Sequence, residues 1–244
     1  MTYCVGMRLD RGLIFMSDTR TNAGVDDIAQ VQKMKIWEEP GERVITLLSA
    51  GNLATTQAVV SLLDERSKAP AERDPGIMNE PTMFQVARRV GATLQEVVQD
   101  SGEEGQQADA VFGATLILGG QIKGSAPRLF LIYPEGNFIE AGEDNPFFQI
   151  GESKYGKPIL VRAYDKQMSF ENAVKLLLVS FDSTIRANVS VDLPFDILAY
   201  EADSFHSENR QRIARDDPYF AQISNGWGEA LKAAFASLPD FTFD

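Results

Sequence analysis

The 244-residue chain has one cysteine, Cys4, and one histidine, His206. A lone thiol excludes an intramolecular disulfide and any cysteine-cluster zinc site. Without a second histidine, a histidine-rich metal site and a histidine dyad are excluded too. A Ser–His–Asp mechanism would have to use His206, which lies in Ser-Phe-His-Ser-Glu, and no G-x-S-x-G nucleophile elbow occurs anywhere. His206 reads as a surface or helix-start residue. An enzyme made from this chain takes its base from another residue type.

Basic residues are also scarce. Against 35 Asp and Glu there are 23 Lys and Arg, and the net charge of −12 opposes a nucleic-acid-binding surface. Apolar runs such as Ala114–Leu118 and Leu176–Val179 are far too short to span a bilayer. The N-terminus lacks the basic region and continuous apolar stretch of a secretory signal, so the expected location is cytoplasmic and no membrane partner is expected. The acidic pairs Asp26-Asp27 and Asp216-Asp217 read as solvated loop charges rather than metal ligands. What remains is 44% hydrophobic and 24% charged, the balance of a globular protein with a sizeable core.

The opening residues follow the period of strands. Tyr3, Val5, Met7 and Leu9 alternate with Cys4, Gly6 and Arg8, Asp10-Arg11-Gly12 is a turn, and Leu13–Ser17 is a second apolar run. Lys33–Trp37 and Arg43–Ser49 follow as strands. The period then lengthens: Ala58, Val59, Leu62 and Leu63 mark a helix with Asn52 near its N-cap, and Thr82–Val98 marks another. Asp64–Pro81, between them, reads as a long loop with three prolines. Strands are expected at Phe112–Leu118, Leu129–Tyr133, Phe147–Ile150 and Phe195–Tyr200, and helices at Tyr155–Ala163 and Ser169–Arg186. A closing helix presents Trp227, Leu231, Ala234 and Leu238 on one face. Grouped strands and paired helices predict an α+β fold, a layered α/β/β/α sandwich of antiparallel sheets in one domain over 1–244.

The chemical clue is Thr2, directly behind the initiator Met1. Methionine is readily removed before a small residue, which leaves threonine with a free α-amine of reference pKa about 7.7–8.0. Such an amine can act as general base for the threonine hydroxyl, with no histidine. A nearby lysine favours the alkoxide-like state, and an aspartate orients that lysine. If Asp10-Arg11-Gly12 is a three-residue turn, Asp18 lies opposite Cys4, on the sheet face of Thr2. The lysine is Lys33 or Lys35, which share a face of the third strand. Lys33 is preferred, because Met34 and Trp37 then suit the strand's packing.

At this point the sequence resembles a known family. MTYCVGMRLDRGLIFMSDTRTNAGVD, then QKMKIW, then LLSAGNLA, are similar to the proteasome β-subunits, and most closely to the bacterial Anbu (ancestral β-subunit) branch, related to the peptidase subunit HslV. The resemblance runs along nearly the whole chain. It implies an N-terminal nucleophile hydrolase in which Thr2 is the nucleophile, with Asp18 and Lys33 as the supporting pair. It further implies that Gly51 supplies the oxyanion-binding N–H and that Ser190 supports the amine. Arg20, Val31 and Ser49 resemble positions that shape the substrate pocket. Two positions depart from the pattern. Ala187 stands where the family has a second aspartate, and Ile-Gly-Glu-Ser puts Glu152 or Ser153 where a serine hydroxyl is usual.

These readings imply a threonine hydrolase of peptide or protein substrates, with two alternatives: an assembly or scaffold protein of low activity, or an amidase of a small amide. The resemblance implies homo-oligomers, as rings or open spirals. It implies no cofactor and identifies no unfoldase partner.

Overall fold

The computed structural model describes residues 2–23, 27–68, 76–101 and 112–243. The chain opens with β1 (Tyr3–Leu9), β2 (Gly12–Asp18), β3 (Arg20–Ala23), β4 (Asp27–Gln30), β5 (Met34–Glu39) and β6 (Arg43–Gly51). Helices α1 (Leu53–Lys68) and α2 (Met83–Ser101) follow, with a 3-10 turn at Ile77–Asn79 between them. Next come β7 (Ala114–Ile122), β8 (Arg128–Ile132), β9 (Phe138–Glu140) and β10 (Phe147–Gly151), then α3 (Lys157–Ala163) and α4 (Phe170–Ala187). The last elements are β11 (Phe195–Glu201), β12 (Arg210–Ile213) and α5 (Pro218–Ala236).

Two five-stranded antiparallel sheets result, in the orders β10-β1-β2-β11-β12 and β5-β6-β7-β8-β9, with β3 and β4 as a separate hairpin. The period-two pattern explains the layers. Leu13 and Phe15 of β2 meet Val44 and Leu48 of β6 in a core between the sheets. Ile14 and Met16, on the other face of β2, pack against Leu177 and Phe181 of α4. Ile45 and Leu47, on the other face of β6, pack against Val59 and Leu63 of α1 and Val86 and Val90 of α2. Each sheet thus has an apolar residue on both faces and needs a covering layer on both, giving the α/β/β/α sandwich. Ser169 caps α4 by accepting from the Asn172 N–H, and Asn52 caps α1 by accepting from the Thr55 N–H.

Several details differ from the sequence reading. The first turn holds two residues, because Gly12 pairs with Leu9 on one side and Glu201 on the other. Cys4 therefore faces Ser17, and Asp18 falls beside Tyr3 rather than opposite Cys4. The inferred route from Thr2 to Asp18 along one sheet face does not exist. The segment expected as a loop over Asp64–Pro81 begins as helix: α1 continues to Lys68, where Arg66 chelates Glu96 of α2 at 2.7 and 2.8 Å. Residues 69–75 of that segment lie outside the described residues. Lys33 precedes its strand instead of opening it, and β3, β4, β9 and β12 carry no strong period of their own. His206 is a surface residue rather than a helix start, in irregular chain before β12, with its Nδ1 3.5 Å from Glu38.

The C-terminal helix does not close the molecule. Among its described residues only Phe220 is buried, whereas Leu231 and Phe235 are 49% and 78% exposed. Phe220 meets the ring of Phe195 edge-on, and Ser224 donates to Asp182 of α4 at 2.6 Å. Beyond that anchor Ile223 and Trp227 are only partly covered, and the apolar residues that follow stand exposed.

Phe181, within α4, joins the starts of β1 and β11, with ring centroids 4.4 Å from Tyr3 and 4.9 Å from Phe195. Phe181→Ala is expected to cost about 3–5 kcal/mol, read from the denaturant midpoint. A loss below about 1 kcal/mol would refute this packing role.

Candidate active site

Thr2 is held by what flanks it. Its carbonyl accepts from the Glu152 N–H at 2.6 Å. Gly151 makes that approach possible: its φ is +80°, and a Cβ there would come within 1.9 Å of the Thr2 carbonyl oxygen. On the other side, the Tyr3 N–H donates to Asp18 Oδ1 at 2.9 Å. The Tyr3 phenol is buried, accepts from Gln149 at 2.6 Å and bonds Ser180 Oγ at 2.7 Å. Burial pushes that phenol up to about 12, against the opposing pull of its two hydrogen bonds. Met1 lies outside the described residues.

Lys33, not Lys35, meets Asp18. Its Nζ donates to Asp18 Oδ1 at 2.7 Å and to the Arg20 carbonyl at 2.6 Å, and both side chains of the ion pair are buried. Burial pushes the Asp18 carboxyl up, while the Lys33 ammonium and the Tyr3 N–H pull it back. Its second oxygen, Oδ2, is buried and has no hydrogen-bond partner among the described residues. Lys35 borders the cavity that Thr2 lines but not Asp18: its Nζ pairs with Asp64 of α1 at 2.6 Å, and Trp37 Nε1 donates to the same carboxylate.

Thr2, Val31, Lys33, Ser49 and Gly51 line one cavity of about 380 Å³. The Val31 N–H donates to the Thr19 carbonyl at 2.7 Å and the Ser49 N–H to that of Lys33 at 3.1 Å, which fixes two walls. Gly51 ends β6 at φ +122°, where a Cβ would lie 2.5 Å from the Gly113 carbonyl oxygen. The first turn of α1 contributes Leu53 and Thr56, so the positive end of a 16-residue helix borders the cavity. Such a border favours negative charge developing on a bound group.

Two expected residues sit outside this lining. The Arg20 guanidinium turns away to Asp192 at 2.8 Å, leaving only its carbonyl at the site. Ser190 is not among the residues around the cavity; its N–H donates to Asn188 Oδ1 at 3.0 Å. Of the two residues in the altered Ile-Gly-Glu-Ser segment, Glu152 is the one against Thr2, and its Oε2 accepts from Asn188 at 3.0 Å. Ser153 lines a separate pocket. Tyr3, Asn188 and Asp192 escaped the sequence reading. Tyr3 looked like one more apolar strand residue, and the other two act across distances that no local pattern encodes. No group of three or more His, Cys, Asp or Glu among the described residues could hold a metal ion, and Asp217 caps α5 by accepting from the Phe220 N–H. Asp26 lies outside the described residues.

Two facing antiparallel sheets between helical layers, with Thr2 lining a cavity immediately before β1, define the proteasome-type N-terminal nucleophile hydrolase fold. The chain belongs to the proteasome subunit family, which matches residues 2–193. It is similar to the solved structure of Anbu (ancestral beta-subunit) from Yersinia bercovieri, at 49% identity and TM-score 0.92, covering 99% of this chain and 100% of that one. An Anbu (Gly-1) mutant from Hyphomicrobium sp. strain MC1 is 51% identical with TM-score 0.91, each chain covered completely. The helical assembly of the Anbu complex from Pseudomonas aeruginosa is 43% identical with TM-score 0.92, covering 99% of this chain and 98% of that one. No curated protein matches the chain.

The buried Tyr3 phenol has a consequence at high pH. The folded protein keeps this proton up to about 12, while the unfolded chain releases it near 10. Stability is therefore expected to fall as pH rises from about 10 to about 12, and the fall should be shallower in Tyr3→Phe. Equal slopes for both proteins in denaturant titrations would contradict the burial of this phenol.

Proposed function

We propose that the chain is a threonine-type hydrolase of peptide or other amide bonds, acting through Thr2 after Met1 is removed. The observation that carries this reading is the buried Asp18–Lys33 pair beside the cavity that Thr2 lines. Thr2 Oγ attacks the amide carbonyl carbon, and the freed α-amine takes the hydroxyl proton. The amine then passes that proton to the departing nitrogen as the C–N bond breaks, leaving an ester on Thr2. Water, deprotonated by the same amine, cleaves the ester and regenerates the hydroxyl.

The surrounding groups have distinct parts. The Lys33 ammonium stabilises the developing oxyanion character of Thr2, and Asp18 holds it in place. Gly51, beside the first turn of α1, presents backbone to the carbonyl oxygen. Val31 and Ser49 contact the substrate residue next to the cleaved bond. Arg20 serves through its carbonyl, while Ser190 stands behind Asn188 in a chain that includes Glu152.

A second reading is an assembly protein with little turnover. Ala187 and Glu152 replace family groups around the amine, and α5 exposes Leu231 and Phe235, with Leu238 exposed just past its end. Self-association through that face agrees with the helical assembly of the Pseudomonas aeruginosa relative. The two readings share this surface and differ only in chemistry.

Intact mass of the purified protein should be lower by one methionine. A peptidyl vinyl sulfone should label wild type at Thr2 and leave Thr2→Ala unlabelled. Lys33→Ala should label about 100-fold more slowly, whereas Lys35→Ala should stay within about twofold. A processed wild type that never labels ends the hydrolase reading in favour of the assembly one.

Phe235→Glu is expected to shift sedimentation toward smaller species without unfolding the subunit. An unchanged particle would exclude α5 as the contact surface.

A further inference from the structure

The Lys33 ammonium has two acceptors, and the second is less secure than the first. Asp18 is fixed by strand pairing, opposite Phe195. The Arg20 carbonyl instead belongs to the start of β3, a four-residue strand paired only with β4. What holds this point is a graft onto the segment just before β11. Thr19 Oγ1 donates to the Pro194 carbonyl at 2.9 Å, and Arg20 Nη1 donates to Asp192 Oδ2 at 2.8 Å. Asp192 is 7% exposed, and its Oδ1 is taken by the Leu193 N–H. A carboxylate so buried gains from more than one cation.

The second cation comes from far along the chain. Arg215, in the link between β12 and α5, donates from Nη2 to the same Asp192 oxygen at 2.5 Å. Most of its side chain is in solvent, at 70% exposure, so it adds little to the core. Its contact is spent on one buried carboxylate that in turn grips Arg20. Residue 215 also lies outside the span matched by the family, which ends at residue 193.

We infer that Arg215 is a positioning residue for Lys33, acting through Asp192 and Arg20. The link runs from Arg215 to the Asp192 carboxylate, through the Arg20 guanidinium, and along the Arg20 backbone to the carbonyl that Lys33 donates to. It rests on the hydrolase reading for its catalytic meaning, while the tether itself is a matter of local structure. It also connects the entry to α5 with the site by way of two intervening side chains, Asp192 and Arg20.

The test compares wild type, Arg215→Ala, Arg215→Lys and Asp192→Asn as full-length proteins. Hydrogen exchange at the Val31 and Ser49 amides, which close the walls next to Thr19 and Lys33, should quicken about fivefold in Arg215→Ala and return toward wild type in Arg215→Lys. Asp192→Asn should exceed Arg215→Ala in the same direction. With the peptidyl vinyl sulfone, the maximal Thr2 labelling rate should fall about fivefold in Arg215→Ala, with the half-saturating probe concentration unchanged. Arg215→Lys should restore the rate. Wild-type exchange at both amides in Arg215→Ala overturns the inference whatever the labelling, as does an unchanged maximal rate where wild type labels. A wild type that does not label removes the hydrolase reading instead, and the exchange experiment still decides the tether.

Discussion

A carboxylate sealed from water has to be met by a cation, and Asp18 imposes that demand on everything around it. It sits at the end of β2 with neighbours on both sides: Tyr3 of β1 and Phe195 of β11. The ammonium that pairs with it comes from across the core, because Lys33 stands immediately before β5 of the other sheet. The pair therefore fastens the two sheets at the edge where the chain begins. The cavity that Thr2 lines opens beside this pair, with Lys33 in its wall. Hydrophobic packing sets the distance between the sheets; the ion pair sets what can happen at their rim.

The regular elements were legible because their periods are physical. A strand buried on both sides of its sheet needs alternating partners, and Leu13 to Met16 supply them to two different cores. Asn52 and Ser169 marked helix starts because an oxygen there satisfies an orphan N–H. The register of the first hairpin was not legible. Whether Gly12 belongs to the turn or the strand depends on Glu201, nearly two hundred residues away. Lys33 and Lys35 likewise differ only through their distant partners, Asp18 and Asp64. Asp18 does meet Lys33, but not by way of the shared sheet face that a three-residue first turn would have given.

Arg20 shows how a residue can sit beside a site and contribute the opposite end of itself. Its side chain is spent on Asp192, and its backbone serves Lys33. Glu152 behaves similarly, giving its N–H to Thr2 and its carboxylate to Asn188. In both cases the main chain touches the reactive end and the side chain ties that main chain to a neighbouring element. Changes in side-chain type at such positions alter the bracing of the site before they alter its chemistry.

The C-terminal helix leaves most of its apolar surface outside the fold, held to the rest by Phe220 and the Ser224–Asp182 bond. Any partner that covers that surface binds the native chain and not the unfolded one. By mass action, a partner at a hundred times its dissociation constant adds about 2.7 kcal/mol to the native state. The resistance of a subunit to unfolding then becomes a property of its concentration as much as of its sequence, and dilution weakens each copy.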